Sequence, residues 1–299
     1  MHKLESELTL DTEKSVALEI LQAESNQRLW EFILILETKL YFHKEISYIR
    51  TLFYGWNDAK TILDIGSGIG DYTAMLAELF PTKEFHGLEQ NPEHFEISSK
   101  KHKLKNLSFE CGDSQVLNPQ LTSQYDIVVM RAVLQHLDNK DIAMINICKY
   151  LKPKGRVIII ESADYLRCSS MSSPYIDDLF EEINSHLTQH KINRKASLEL
   201  MTDIALKKSD LSNFFEVEAS NISIDGKAEN ATDKQLHLSI NKDNKSLVFS
   251  QKLTFFSLWK KHYGLDVDLG KVYDEYKTFL EKDNAYLYEG FHMLCLKKC

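Results

Sequence analysis

The sequence predicts an α/β protein built on a doubly wound sheet of seven strands, and three observations carry that prediction. From Thr61 onward, short apolar runs of strand length alternate with segments of helical periodicity. The first 56 residues are instead helical throughout, and two more helical segments lie between the last two strand candidates. The predicted organisation is an N-terminal helical cap over 1–56 and a sheet domain over 57–299, with a helical insertion at about 226–288.

In the cap, apolar residues recur at helical spacing through Val16, Leu18, Ile20 and Leu21, then Leu29 to Leu36, then Ile46, Ile49, Leu52 and Phe53, before Gly55 ends the region. Five strand candidates follow: Thr61–Ile65, Glu84–Glu89, Leu107–Cys111, Tyr125–Met130 and Arg156–Glu161. Between them, one helix begins near Asp71 and stops before Pro81. A second has Asn91 as N-cap and Pro92 at its first position, and a third runs from about Asn139 to Leu151. Strands alternating with helices need right-handed crossovers, which stack the strands in parallel with helices on both faces. Helices are expected from Ser173 and Pro174, over Ser197–Lys208, Lys245–Tyr263 and Asp268–Glu281. The last two strands are expected at Phe215–Ile224 and Glu289–Lys297, with a polar loop over Asp225–Asn244.

Composition narrows the function classes. The 299 residues are 43% hydrophobic and 27% charged, which suits a globular chain with a real core and excludes disordered or repeat-dominated classes. A formal charge of -8 disfavours nucleic acid and anionic membrane surfaces as partners. Residues 1–15 carry four acids and no apolar leader core, and no apolar run is long enough to span a bilayer. The five cysteines are scattered and never in CxxC, so no disulfide framework or structural zinc site is expected, and a cytoplasmic setting is.

The chemistry concentrates in Thr61-Ile-Leu-Asp64-Ile-Gly66-Ser-Gly68-Ile-Gly70-Asp-Tyr72. A buried strand ends in a glycine-rich turn that opens a helix, so backbone can approach a ligand closely. A dinucleotide turn reads GxGxxG; here the spacing is GxGxG, and Asp64 stands two residues before the first glycine. That carboxylate repels a pyrophosphate and attracts an ammonium or sulfonium. At the end of the second strand Glu89 can accept both hydroxyls of a ribose. Beyond the third, in Cys111-Gly-Asp113-Ser114, Asp113 can accept from an exocyclic amine of adenine. Two further blocks are Tyr125–Met130 with Arg131-Ala-Val-Leu-Gln-His136, and Leu151-Lys-Pro-Lys-Gly155 leading to Glu161.

In this order and spacing the five blocks resemble the class I S-adenosylmethionine-dependent methyltransferases, most of all those acting on small molecules, over about Thr61–Glu161. The resemblance implies a Rossmann-like methyltransferase sheet, S-adenosyl-L-methionine as cofactor, and methyl transfer to O or N of a small metabolite. It implies that Asp64 holds the methionyl amine and that the backbone of Gly66, Ser67 and Gly68 packs against the methionine portion. Glu89 would bind the ribose with Gln90 beside the adenine, Asp113 and Ser114 would lie at the adenine amine, and Arg131 would contact the cofactor.

Absent motifs narrow the acceptor. Met130-Arg-Ala-Val133 is not the [DNS]PP[YF] used on exocyclic amines, and no cysteine follows a proline. His136 and Glu161 are the candidate catalytic residues. The alternatives are a turn supporting the cofactor pocket for His136 and a solvated or capping carboxylate for Glu161. Glu182, His186 and His190 share a helix face, read as solvated rather than metal-binding, so no metal is expected. The run Lys100, Lys101, Lys103 and Lys105 would be the footprint of the competing reading, a protein or RNA methyltransferase. A non-catalytic module that keeps the fold is the third reading. Tyr41 and Phe42 of the cap, together with Tyr165, are candidates to close over an acceptor.

Overall fold

The computed structural model describes residues 4, 7–53, 55–169, 171–189, 192–223, 242–282 and 287–299. Seven strands form one sheet in the order β3-β2-β1-β4-β5-β7-β6. They are β1 (Thr61–Ile65), β2 (Glu84–Glu89), β3 (Leu107–Cys111), β4 (Tyr125–Arg131), β5 (Leu151–Ser169), β6 (Phe215–Ser223) and β7 (Leu287–Lys298). Strands β1 to β5 pair in parallel, as the alternating pattern predicts. The pair β6 and β7 is antiparallel. A single crossover helix returns the chain to the end where a strand began, which parallel pairing needs; among its described residues, the segment between β6 and β7 carries two helices. The β-strand order reverses between β1 and β4, and in open α/β sheets ligands bind at the carboxyl ends of strands beside such a point.

The described helices are α1 (Lys14–Ala23), α2 (Asn26–Leu52), α3 (Asp71–Leu79), α4 (Pro92–Lys101), α5 (Lys140–Tyr150), α6 (Pro174–Gln189), α7 (Ala196–Ala205), α8 (Lys242–Tyr263) and α9 (Leu269–Leu280). Local chemistry sets their ends. The Asn91 side chain accepts from the N–H groups of Glu93 and His94, Asn139 caps α5, and Asp268 accepts from Gly270 and Lys271. Gly264, at φ 73°, stops α8.

One strand departs from its expected bounds. β5 was expected over Arg156–Glu161; it runs from Leu151 to Ser169, so Glu161 lies within the strand rather than at its end, and the Lys152–Gly155 turn is a bulge inside it. Tyr125 pairs with Leu151, yet Ile127 already pairs with Arg156, so three extra residues are accommodated beside Lys154 at φ 62°. Most of the expected polar loop, 224–241, lies outside the described residues.

The chain divides into two compact units. One comprises Glu45–Leu166, Ile192–Ile224 and Glu289–Cys299. Its core joins Leu63, Ile65, Val128, Met130, Val157 and Ile159 of the central strands to Met144, Ile147 and Tyr150 of α5. The other comprises Met1–Lys44, Arg167–Lys191 and Asp225–Tyr288. In this helical unit Phe249 meets Tyr273 edge to face, and the Lys261 ammonium donates to the carbonyls of Leu21, Gln22 and Glu24 at the end of α1. The division falls within α2, after Lys44.

Candidate functional site

The glycine turn is built by the end of β1 and the start of α3. Gly66, Gly68 and Gly70 all have left-handed φ, at 69°, 57° and 82°. The Leu88 carbonyl accepts from the N–H groups of Gly66 and Ser67, at 2.8 and 3.3 Å, which ties the turn to β2. A Cβ at Gly66 would stand 2.4 Å from Val133 Cγ2, so only glycine fits where the loop after β4 crosses the turn. The Ser67 hydroxyl in this cradle is buried and has no hydrogen-bond partner among the described residues.

Asp64 and Glu89 flank that turn, both buried. Thr73 donates to Asp64 Oδ2 at 2.6 Å. Burial pushes the Asp64 carboxyl up to about 7; the Thr73 hydroxyl and the Arg131 charge act against this, while Glu89 and Glu45 add to it. Glu89 accepts from the Gly68 N–H through Oε2 and from the Asn91 N–H through Oε1, each at 2.8 Å. The sequence-predicted acids of β1 and β2 therefore meet across the glycine turn. Gln90 is exposed beside them. Beyond β3, Asp113 Oδ1 accepts from the Gln115 N–H at 2.8 Å, and the buried Ser114 lends its carbonyl to Asn146. Gly112 N–H donates to the Glu89 carbonyl, so the Asp113 turn is anchored to the end of β2.

Arg131 ends β4. Its Nε donates to both oxygens of Glu45, at 3.1 and 2.9 Å, and its guanidinium carbon lies 5.0 Å from the centre of the Tyr72 ring. Glu161 is buried on β5, and its Oε1 accepts from the N–H groups of Val133 and Leu134, at 3.0 and 2.7 Å. This oxygen caps the short 3-10 turn Leu134–His136, the capping role that was one of two readings from sequence. The other oxygen, Oε2, is buried without a hydrogen-bond partner among the described residues. Burial pushes the carboxyl up to about 7, opposed by the Leu134 N–H, the Arg194 charge and the Val133 N–H. His136 closes the same turn and is exposed.

Three residues of this site were given no role by the sequence: Glu45, Tyr72, which ends the quoted motif, and Thr73. The last two follow the glycine turn on the first turn of α3, so helical geometry next to Asp64 was the available signal. Glu45 offered none, since it sits in a helix with no local motif.

Several other candidates are not joined to it. In the lysine run, Lys100 pairs with Glu96 and Lys101 with Asp71. His186 stands edge-on to Trp259 and Tyr263, and His190 lies outside the described residues. No group of His, Cys, Asp and Glu among the described residues is arranged to hold a metal, and no described helix is long and apolar enough to cross a membrane. Of the three aromatics, Phe42 is buried, Tyr41 half-buried, and the Tyr165 side chain lies outside what is described.

The chain is similar to several methyltransferases. Malonyl-(acyl-carrier protein) O-methyltransferase of Priestia megaterium is 28% identical over 116 residues, 39% of this chain and 41% of that protein. The protein of the same name from Bacillus anthracis is 22% identical over 174 residues, 57% and 58% of the two chains. Trans-aconitate 2-methyltransferase of Deinococcus radiodurans is 29% identical over 104 residues, 35% and 38%. The chain spans less than two thirds of the length of these relatives. Residues 57–238, which contain every site residue named above except Glu45, match the methyltransferase-domain family, and the chain belongs to that family.

Proposed function

We propose that this protein transfers the methyl group of S-adenosyl-L-methionine to an O or N atom of a small-molecule acceptor. The observation that carries this reading is the meeting of Asp64 and Glu89 across a glycine turn at the carboxyl ends of β1 and β2. The residues present fit the cofactor. The turn is glycine-lined where a Cβ would collide, the Ser67 hydroxyl is buried without a hydrogen-bond partner among the described residues, and the flanking acids suit a cation rather than a pyrophosphate. Relatives named for malonyl-(acyl-carrier protein) and trans-aconitate support a small or carrier-borne acceptor.

The cofactor supplies a methyl group already activated on a sulfonium, so in-line displacement needs chiefly an acceptor held at attack distance, worth roughly 7–11 kcal/mol. Asp64 would hold the methionyl ammonium, the Glu89 oxygens, with lone pairs left after bracing the turn, would hold the ribose hydroxyls, and Asp113 would hold the adenine amine. Glu161 would serve as the base, accepting the acceptor's proton at Oε2, the oxygen not engaged by the turn among the described residues.

Calorimetric titration with S-adenosylmethionine and S-adenosylhomocysteine, with NAD as control, tests the reading. Micromolar binding of the first two without NAD supports it. Binding of NAD alone, or of none of the three, overturns it.

A further inference from the structure

Four ionisable side chains from four elements converge beside the cofactor turn, and one of them belongs to no recognised block. Glu45 comes from α2, Arg131 from β4, Tyr72 from α3 and Asp64 from β1. Arg131 is fixed on two sides. The Glu45 carboxylate binds its Nε through both oxygens, and the Tyr72 ring lies against the guanidinium plane. The arginine and glutamate side chains are 13% and 4% exposed, so their ion pair is little screened by solvent. From the elements packed around it, Asp64 faces Thr73 and Tyr72 on α3, Glu89 on β2, Glu45 on α2 and Arg131 on β4. Arg131 is the cation of that set. A buried carboxyl with two acids nearby stays ionised only if a positive charge is held close.

We propose that Glu45 is a positioning residue of the S-adenosylmethionine site: by clamping Arg131 against Tyr72 it keeps a positive charge beside Asp64, and so keeps Asp64 ionised to receive the methionyl ammonium. The inference rests on the function proposed above. Arg131 thereby acts on the cofactor through Asp64, and its charge is balanced by an acid from the N-terminal helices rather than by the ligand. The cluster of Asp64, Glu45, Glu89 and Arg131 keeps an excess of negative charge, which favours a cationic ligand.

Repulsion and clamping give opposite signs, and this makes the idea testable. If Glu45 acted only as a nearby negative charge, removing it would make Asp64 easier to ionise. If it clamps Arg131, removing it lets the cation swing away and Asp64 becomes harder to ionise. The experiment is carbon-13 NMR titration of the Asp64 carboxyl in the full chain, assigned with Asp64→Asn, in wild type and in Glu45→Gln. Clamping predicts a midpoint raised by about one pH unit in Glu45→Gln, with Glu45→Asp restoring part of the shift. Calorimetry with S-adenosylmethionine should then lose about tenfold in affinity at pH 6 and little at pH 9. An Asp64 midpoint that is unchanged or lowered in a variant that still melts cooperatively overturns the inference. A raised midpoint in a protein that binds no S-adenosylmethionine at any pH upholds the clamp and sinks the methyltransferase reading alone.

Discussion

Two buried glutamates, Glu89 at the end of β2 and Glu161 within β5, each accept from two backbone N–H groups, but they do so differently. On the β1–β2 side, Glu89 uses one oxygen for Gly68 and the other for Asn91. On the β4–β5 side, Glu161 puts both bonds on one oxygen and leaves the second buried, without a partner among the described residues. A carboxylate spread over two loops sets their separation and tolerates a ligand that shares its lone pairs. A carboxylate with one bare oxygen in a dry setting is costly when ionised, and that cost is a source of proton affinity. Under the proposed function the first region holds the cofactor and the second exchanges a proton.

The largest effect is expected where the two regions touch. Gly66→Ala puts a methyl group 2.4 Å from Val133 Cγ2 at a left-handed φ, so the turn and the loop after β4 cannot both keep their places. A stability loss of about 2–4 kcal/mol in a urea melt is expected, with S-adenosylmethionine binding weakened at least a hundredfold. Gly68→Arg should abolish binding with a smaller loss of stability. Wild-type affinity in both variants would remove the glycine turn from the site.

Next is the holding glutamate. Glu89→Ala strands the N–H groups of Gly68 and Asn91 and removes the proposed ribose partner, for an expected loss of about 2–3 kcal/mol of binding. Glu89→Gln keeps one acceptor oxygen and should recover part of it. If the two variants bind alike, the separation set by the two oxygens does not matter, and the comparison with Glu161 loses its first half.

The exchanging glutamate gives a pH signature. Its carboxyl is held at about 7 in the folded protein, above the ordinary 4.5, so the folded state binds the proton more tightly than the unfolded chain. The stability this contributes is complete below 4.5 and is lost as pH rises through 7. Glu161→Gln does not titrate, so its stability relative to wild type should improve by roughly 3 kcal/mol between pH 4 and pH 8. Melting temperatures of both proteins across that range test the sign. As a base, Glu161 would also carry about 10²- to 10⁴-fold of kcat with cofactor affinity unchanged; a fall of less than tenfold would leave it a cap and nothing more.

How legible each region was follows from how local its physics is. The β1–β2 side could be read because strand, glycine turn and helix cap lie within a dozen consecutive residues, each constrained by its own backbone. Asp64, Glu89 and the Asn91 cap all fall where the sequence puts them. The β4–β5 side was half legible. Glu161 was visible as the acid closing the expected strand, but the strand runs on to Ser169, and which of its oxygens is engaged depends on N–H groups 27 and 28 positions away. Glu45 was not legible at all, since it reaches Arg131 across 86 positions and α2 advertises no site. The β5 bulge was missed for a related reason: Pro and Gly mark a turn equally well whether the strand stops there or continues past it.

The smallest effect separates charges that build the site from charges that decorate it. Lys101 reaches Asp71 at 2.7 Å, but the lysine side chain is largely exposed and the pair sits in solvent. An exposed pair gains little, because water and salt screen it and two long side chains lose freedom in making it. Lys101→Ala should therefore change stability by less than about 1 kcal/mol, and less still at high salt. The same variant tests the competing acceptor. If Lys100 and Lys101 touched RNA, alanine at both would abolish a salt-sensitive association with total tRNA that wild type displays at low salt. If wild type binds no tRNA there, the lysines are surface charges tied to Glu96 and Asp71, and the acids at the sheet's carboxyl ends remain the chemistry the chain presents.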